Sequence, residues 1–237
     1  NKISAGEVVE RPSSVVKELL ENSLDAGAKQ IDIVIEQGGN QLIQVRDNGM
    51  GIKKDQLPNA LKRFHTSKLS NLNDLFAIDT LGFRGEALAS IASVAQVSII
   101  SNAQQSEGSE INVIDGNLSD VIPAPKIDGT QITIRDLFYN TPARKKFLKT
   151  PRTEARKIIE TVKRFGLSCP GLGISLVTDG KKIIDLIPET LEDRIGSLFD
   201  NTYPKNLIPI MISKADFTFS GYIGNLNLIR KRFGEQY

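Results

Sequence analysis

Tryptophan is absent from these 237 residues, and histidine and cysteine each occur once. With His65 alone, a histidine-based zinc site or a catalytic triad lacks partners, so any metal is expected to be oxygen-bound. A single cysteine, Cys169, excludes an internal disulfide. Its apolar neighbours read as the setting of a small buried hydrophobe, which fits a reducing compartment, the cytoplasm of a bacterium or the nucleus of a eukaryote. No apolar run approaches the length of a membrane span. The chain starts at Asn1 without an initiator methionine or a charged-then-apolar leader, and reads as a trimmed piece rather than a secreted precursor. Repeats and low-complexity tracts are missing. So are the two commonest phosphate-binding signatures, G-x-x-x-x-G-K-[ST] and G-x-G-x-x-G.

What remains is an ordinary globular composition, 40% apolar and 24% charged with a net charge of +2. The length suits one large domain and part of another. After "ERPSS", with Ser13 and Ser14 as possible N-caps, Val15, Val16, Leu19, Leu20 and Leu24 form one helical face that ends near Gly27. Ile31, Ile33 and Ile35 alternate in "QIDIVIE". "QGGN" turns, and "LIQVRD" continues, so the segment reads as an antiparallel hairpin.

A short helix is expected around "DQLPNALKRF". A second, opened by Glu86 and carrying Leu88, Ile91 and Val94, should be buried. Strands follow at "VSII", "EINVID", "TQITIRD" and "GISLVTD", with Asp115-Gly116 and Asp179-Gly180 as hairpin turns. Ala155, Ile158, Ile159, Val162 and Phe165 make a further helix, with Gly166 as its expected stop. Together these predict an α+β sandwich, helices covering one face of a mixed, mostly antiparallel sheet. Around Pro188 the pattern resets, so residues 1–188 read as one domain and 189–237 as the beginning of another.

Several clusters could carry chemistry. Glu18 and Asn22 stand four apart on the first helix and share a side. A carboxylate can activate water and an amide oxygen can ligate magnesium, but a solvated helix edge has the same spacing. "RDNGMG", Arg46 to Gly51, begins like a hairpin turn. A calcium loop fails there because Lys53 and Lys54 follow at once. The remaining choices are a plain turn and a ligand loop, in which Asp47 accepts from an exocyclic amine and Gly49 and Gly51 admit a flat ring. "GFRG" before Glu86 places Gly82, Phe83, Arg84 and Gly85 at a helix start, where free N–H groups favour phosphate. Thr66, Ser67 and Lys68 precede it, and the lysine is either a phosphate partner or a solvated side chain. From Arg144 to Arg164 there are nine lysines and arginines against two glutamates. That run is either a nucleic-acid patch or the wet face of a helix.

Read in order, "ISAGEVVERPSSVVKELLENSLDAGA", "RDNGMGI", "TSKL", "LGFRGEALASI" and "GTQITIRDLFYNTPARKKFL" closely resemble the MutL family of DNA mismatch repair proteins. That family lies within the GHKL ATPases, with gyrase, a heat-shock chaperone and the sensor histidine kinases. The likeness runs from Asn1 to about residue 165 and continues more loosely to the end. It implies the Bergerat fold and a second, transducer domain. It also implies ATP and Mg2+ as cofactors, with Glu18 as the base that activates water and Asn22 as the magnesium ligand. Asp47 would bind the adenine amine, with Gly49 and Gly51 around the base and Thr130 supporting the contact. Thr66, Ser67 and Lys68 would belong to the phosphate side, with Gly82, Phe83, Arg84 and Gly85 in an ATP lid.

The resemblance further implies a dimer that closes on ATP, and DNA, a mismatch-recognition protein and downstream repair proteins as partners. A γ-phosphate lysine is expected beyond Tyr237 and a dimer arm ahead of Asn1, so hydrolysis by these residues alone should be weak or absent. A sensor kinase would need a phosphoacceptor histidine domain. A DNA-binding scaffold with a vestigial nucleotide pocket is the alternative function.

Overall fold

The computed structural model describes residues 9–62, 86–103, 107–200, 202–215 and 217–228. Helix α1, Pro12–Asp25, opens on a proline, whose preset φ and missing N–H suit the first helical position. Its N-cap is Arg11 in extended backbone without a side-chain cap, so the expected serine caps are instead inside the first turn. Val15, Val16, Leu19 and Leu20 are fully buried, and Leu24 packs partly against the same core. The hairpin follows as β1, Gln30–Glu36, and β2, Leu42–Asp47, with a short 3-10 turn at Gln37–Gly39. Helix α2, Leu57–Ala60, is a single turn, and α3, Ala87–Ala92, is shorter than its alanine-rich sequence suggests. Ser90, Ile91 and Ala92 are buried there, while Leu88 is half-buried.

Strands β3 (Gln96–Asn102), β4 (Gly108–Ile114), β5 (Asn117–Leu118), β6 (Ile122–Ala124) and β7 (Gly129–Arg135) come next. Two helices, α4 (Pro142–Phe147) and α5 (Pro151–Ser168), separate them from β8 (Gly173–Thr178) and β9 (Lys181–Leu186). The sheet runs β5-β4-β3-β7-β2-β1-β8-β9, with β6 beside β4. Among the described strands, only β1 and β8 are parallel; the other pairs are antiparallel. This is the expected α+β sandwich. The two Asp-Gly turns have φ of 51° and 78° at Asp115 and Gly116, and 48° and 78° at Asp179 and Gly180. Positive φ at both positions matches the right-handed twist of the strands they join.

Register makes one face apolar. Ile31, Ile33 and Ile35 pair across to Asp47, Val45 and Ile43, which pair with Thr130, Ile132 and Ile134. Directly opposed residues share a sheet face, so β2, β7, β3 and β4 add their isoleucines and valines to the side that α1 and α5 cover. Each such side chain stabilises the fold by about 1.5–3 kcal/mol.

Helix α5 does not stop at Gly166. It runs to Ser168, and the glycine sits buried inside it because an added Cβ would stand 2.9 Å from Leu186 Cδ1. Past residue 188, α6 (Leu191–Leu198) packs on α5 and β9, whereas β10 (Leu207–Lys214) and β11 (Phe217–Gly224) form a separate two-stranded sheet. Arg194 of α6 is fully buried and pairs with Glu189 at 2.7 Å. It also donates to the carbonyls of Gly166, Pro170, Leu172 and Ile187 at 2.7–3.2 Å. Cys169 beside it is half-buried rather than fully enclosed, and burial pushes its thiol pKa up against the pull of the Arg194 charge.

Candidate active site

At one end of the apolar face the side chains turn polar. Asp47, Thr130, Ser101 and Ser109 are consecutive register partners across β2, β7, β3 and β4, and all four are buried. The row prolongs the columns of isoleucine and valine behind it, so it borders the core rather than the open face of the sheet.

Asp47 is 8% exposed. Its Oδ1 accepts from the Gly49 N–H at 2.8 Å and its Oδ2 from Ser23 Oγ at 3.2 Å, so α1 and the loop both hold the carboxylate. Burial raises its pKa above 3.8, opposed by the Gly49 N–H, the Ser23 hydroxyl and the Thr130 backbone. A buried carboxylate whose oxygens are each only partly used is an acceptor waiting for a donor.

The loop after Asp47 is sewn to its surroundings. Asn48 Oδ1 accepts from the N–H groups of Lys29 and Gln30 at 2.8 and 2.9 Å, and the Met50 N–H donates to the Ala26 carbonyl at 2.9 Å. Gly49 and Gly51 were expected to clear space for a ring, and the fold supplies a prior reason for both. A Cβ on Gly49 would lie 2.7 Å from the Ala26 carbonyl, and one on Gly51 would lie 2.2 Å from that of Asn102. Gly51 also has φ +70°, where a side chain is strained. The chain's own backbone therefore demands these glycines. The loop does not fold back as a hairpin; it leaves the end of β2 and crosses α1 and β3.

Glu18 and Asn22 are half-buried on α1. With Ala26 they form an i, i+4, i+8 line, each step rising about 6 Å along the axis. Since Ala26 receives the loop, the line leads from the Asp47 end of the site along the helix. Thr66, Ser67, Lys68, Gly82, Phe83, Arg84 and Gly85 lie outside the described residues, as does His65. No group of three or more His, Cys, Asp or Glu side chains gathers as a metal cage among the described residues. Beside the loop a cleft of about 350 Å³ opens between Asn48, Met50, Asn102 and Lys126; Asp47 and Thr130 are not in its walls.

Sequence reading missed Ser23, Asn48, Ser101 and Gly129. Gly129 has φ +77°, and a Cβ there would meet the Asp47 carbonyl at 2.3 Å. The "DGT" that leads into β7 was a usable signal for it, its Gly129 and Thr130 being the first residues of the strand; nothing local marks Ser101.

In the basic run, Lys145, Lys146, Lys149, Arg152 and Arg156 are exposed on and between α4 and α5. The far end is otherwise engaged: Arg164 pairs with Glu160 at 2.9 Å, and Lys163 Nζ sits 5.1 Å from the centre of the Phe199 ring. No helix among the described residues is long and apolar enough to cross a membrane.

Residues 10–134 match the family described as histidine kinase-, DNA gyrase B- and HSP90-like ATPases. The chain is 47% identical over 233 residues to the DNA mismatch repair protein MutL of Escherichia coli O1:K1 / APEC, and 44% identical over 232 residues to that of Streptococcus pneumoniae serotype 19F (strain G54). These alignments cover 96% and 97% of the chain but 38% and 36% of the relatives, so it spans well under half of their length. Among solved structures, the Aquifex aeolicus MutL ATPase domain complexed with ADP superposes with a TM-score of 0.68 at 33% identity. That likeness covers 86% of this chain and 73% of the other. The chain belongs to the histidine kinase-, DNA gyrase B- and HSP90-like ATPases, and within them to the MutL proteins.

Proposed function

We propose that this chain binds ATP with Mg2+ as part of a longer protein that hydrolyses it and acts as a conformational switch of DNA mismatch repair. The observation that carries this reading is Asp47, a buried carboxylate aimed by Gly49 and Ser23 at the end of the core face. Such an acceptor suits the exocyclic amine of adenine, with the Thr130 hydroxyl supporting the contact and Gly49 and Gly51 shaping the loop around the base. The A. aeolicus relative of the same fold is an ADP complex, which agrees with this assignment.

Along α1, Asn22 would hold Mg2+. One neutral amide oxygen leaves such an ion its waters and phosphate oxygens, the coordination magnesium favours. When bound, the ion neutralises charge on the phosphates. Glu18, one turn earlier, accepts the proton of a water aligned on the γ-phosphate. Thr66, Ser67 and Lys68, with Gly82, Phe83, Arg84 and Gly85, complete the phosphate side in this reading. Residues 1–188 form the nucleotide-binding unit and 189–237 the opening of a transducer, with α6 as the joint.

ATP binding would favour a closed dimer that DNA, a mismatch-recognition protein and downstream repair proteins read, in the cytoplasm. The exposed lysines of α4 are the DNA-facing part. The scaffold alternative keeps DNA binding and discards the nucleotide.

Calorimetry separates the two. ATP with Mg2+ should bind, and Asp47→Asn should weaken it by roughly tenfold or more through loss of a charged acceptor. In the longer protein, Glu18→Ala should keep ATP affinity and lose about 10²–10⁴-fold in turnover. Equal ATP affinity in the Asp47 variant, or full turnover in the Glu18 variant, sinks the respective role.

A further inference from the structure

We propose that Ser101 is a positioning residue for base selection: it holds the Thr130 hydroxyl proton, so that Thr130 offers only lone pairs to the base. This rests on the nucleotide reading above and adds a specificity element to it.

Ser101 is 1% exposed, and its Oγ has three neighbours. The Ile52 N–H lies at 2.8 Å, the Gly129 carbonyl at 3.1 Å and Thr130 Oγ1 at 2.8 Å. A serine hydroxyl has one proton and two lone pairs. Ile52 can only donate, so it takes one lone pair. Gly129 O can only accept, so this contact takes the serine proton. Thr130 must then give its own proton to the second lone pair. The opposite choice, Ser101 donating to Thr130, would set two acceptor oxygens facing each other 3.1 Å apart in a buried place. One assignment satisfies all three contacts.

The consequence lies one strand over. Thr130 and Asp47 are register partners on the same face, so in the nucleotide reading above the base would meet a carboxylate and a hydroxyl oxygen whose proton is already given to Ser101. A 6-amino purine brings two amine hydrogens to such a row. A 6-oxo purine brings an oxygen there, which meets the Asp47 carboxylate and finds no hydrogen at Thr130; its N1–H is a donor that adenine lacks, so the row discriminates through the 6-substituent alone. Ser101 also anchors the loop through Ile52, and so sets both the position of Gly51 and the polarity of its neighbour.

The test measures binding of ATP and of inosine triphosphate, the 6-oxo analogue, to the whole chain by calorimetry. In Ser101→Ala the Thr130 proton is freed to turn toward the base. The ATP-over-ITP ratio should fall by roughly tenfold, the usual effect of one hydrogen-bond mismatch. Ser101→Thr, which keeps the hydroxyl, should restore the ratio. In a Thr130→Val background, Ser101→Ala should leave the ratio where Thr130→Val alone puts it. If Ser101→Ala fails to fold, Ser101→Cys replaces it, since a thiol fills the space but accepts poorly. An unchanged or increased ratio, or a fall that persists undiminished in the Thr130→Val background, overturns the proposal. A wild-type chain that binds neither nucleotide overturns the ATP reading instead, before any ratio is taken.

Discussion

Ser23 on α1 shares its one hydroxyl proton between the Asp47 carboxylate at 3.2 Å, across 24 positions of sequence, and the Leu19 carbonyl at 3.0 Å. One hydroxyl therefore ties the first helix to the end of β2. It places the helix line bearing Glu18 and Asn22 at a set distance from the acceptor carboxylate. The hydrogen bond also favours the ionised form of a group that burial pushes the other way.

Nucleotide affinity should depend on acid through Asp47. Its folded-state pKa is raised above 3.8 chiefly by burial, so the carboxylate protonates on acidification sooner than an exposed one would. Its contribution to stability is fully present below the unfolded pKa and is lost as pH rises through the folded pKa. While ionised, the group is a cost to the fold that serves the amine contact. Calorimetric ATP affinity should fall as pH drops, with a midpoint above 3.8, and that limb should be missing from Asp47→Asn.

Gly51→Ala should destabilise the protein without any nucleotide present. The left-handed backbone alone costs about 1–2 kcal/mol, and the contact with the Asn102 carbonyl adds to it. Thermal unfolding of the nucleotide-free variant should show a clearly lowered midpoint. A wild-type midpoint combined with lost ATP binding would return this glycine to the role of clearing space for a ring.

Arg194→Met should cost about 3–5 kcal/mol, because it leaves Glu189 and four carbonyls without their donor in a buried site. Hydrogen exchange should show α6 losing protection first, since its guanidinium reaches the end of α5 and the segments flanking β8 and β9. Uniform loss over the sheet, with α6 unchanged, would contradict this.

Charge reversal at Lys145 and Lys146 should weaken DNA binding and flatten its salt dependence. Each lost duplex phosphate contact lowers the slope of log affinity against log salt by about 0.9. Reversing Arg164 should change little, because Glu160 already occupies it. Equal effects from the two ends of the run would mean general charge, not a patch at α4, drives binding.

Much of this was open to reading along the chain. The apolar face of α1, the alternating isoleucines of β1 and the two Asp-Gly turns follow from rules that act within a few residues, namely side-chain periodicity and positive φ. Glu18, Asn22 and Asp47 stood out as candidates by residue type and spacing, with a solvated helix edge and a plain turn equally open, and their roles came from the resemblance to MutL proteins. The true end of α5 escaped because Gly166 is explained by Leu186, which comes from another element. Arg194 looked like any helical arginine until its acceptors were assembled around it.

The sequence by itself determined the elements, the class of sandwich and which residue types were available for chemistry, because local propensity and hydrophobic period are written in neighbouring positions. Only the tertiary structure decided that Asp47, Thr130 and Ser101 stand in one row. Their order depends on the register of strands far apart in the chain, where a slip of one residue would turn each side chain to the other face. Only there do the glycines of the loop meet the backbones that require them, and only there does one serine proton acquire a single place to go.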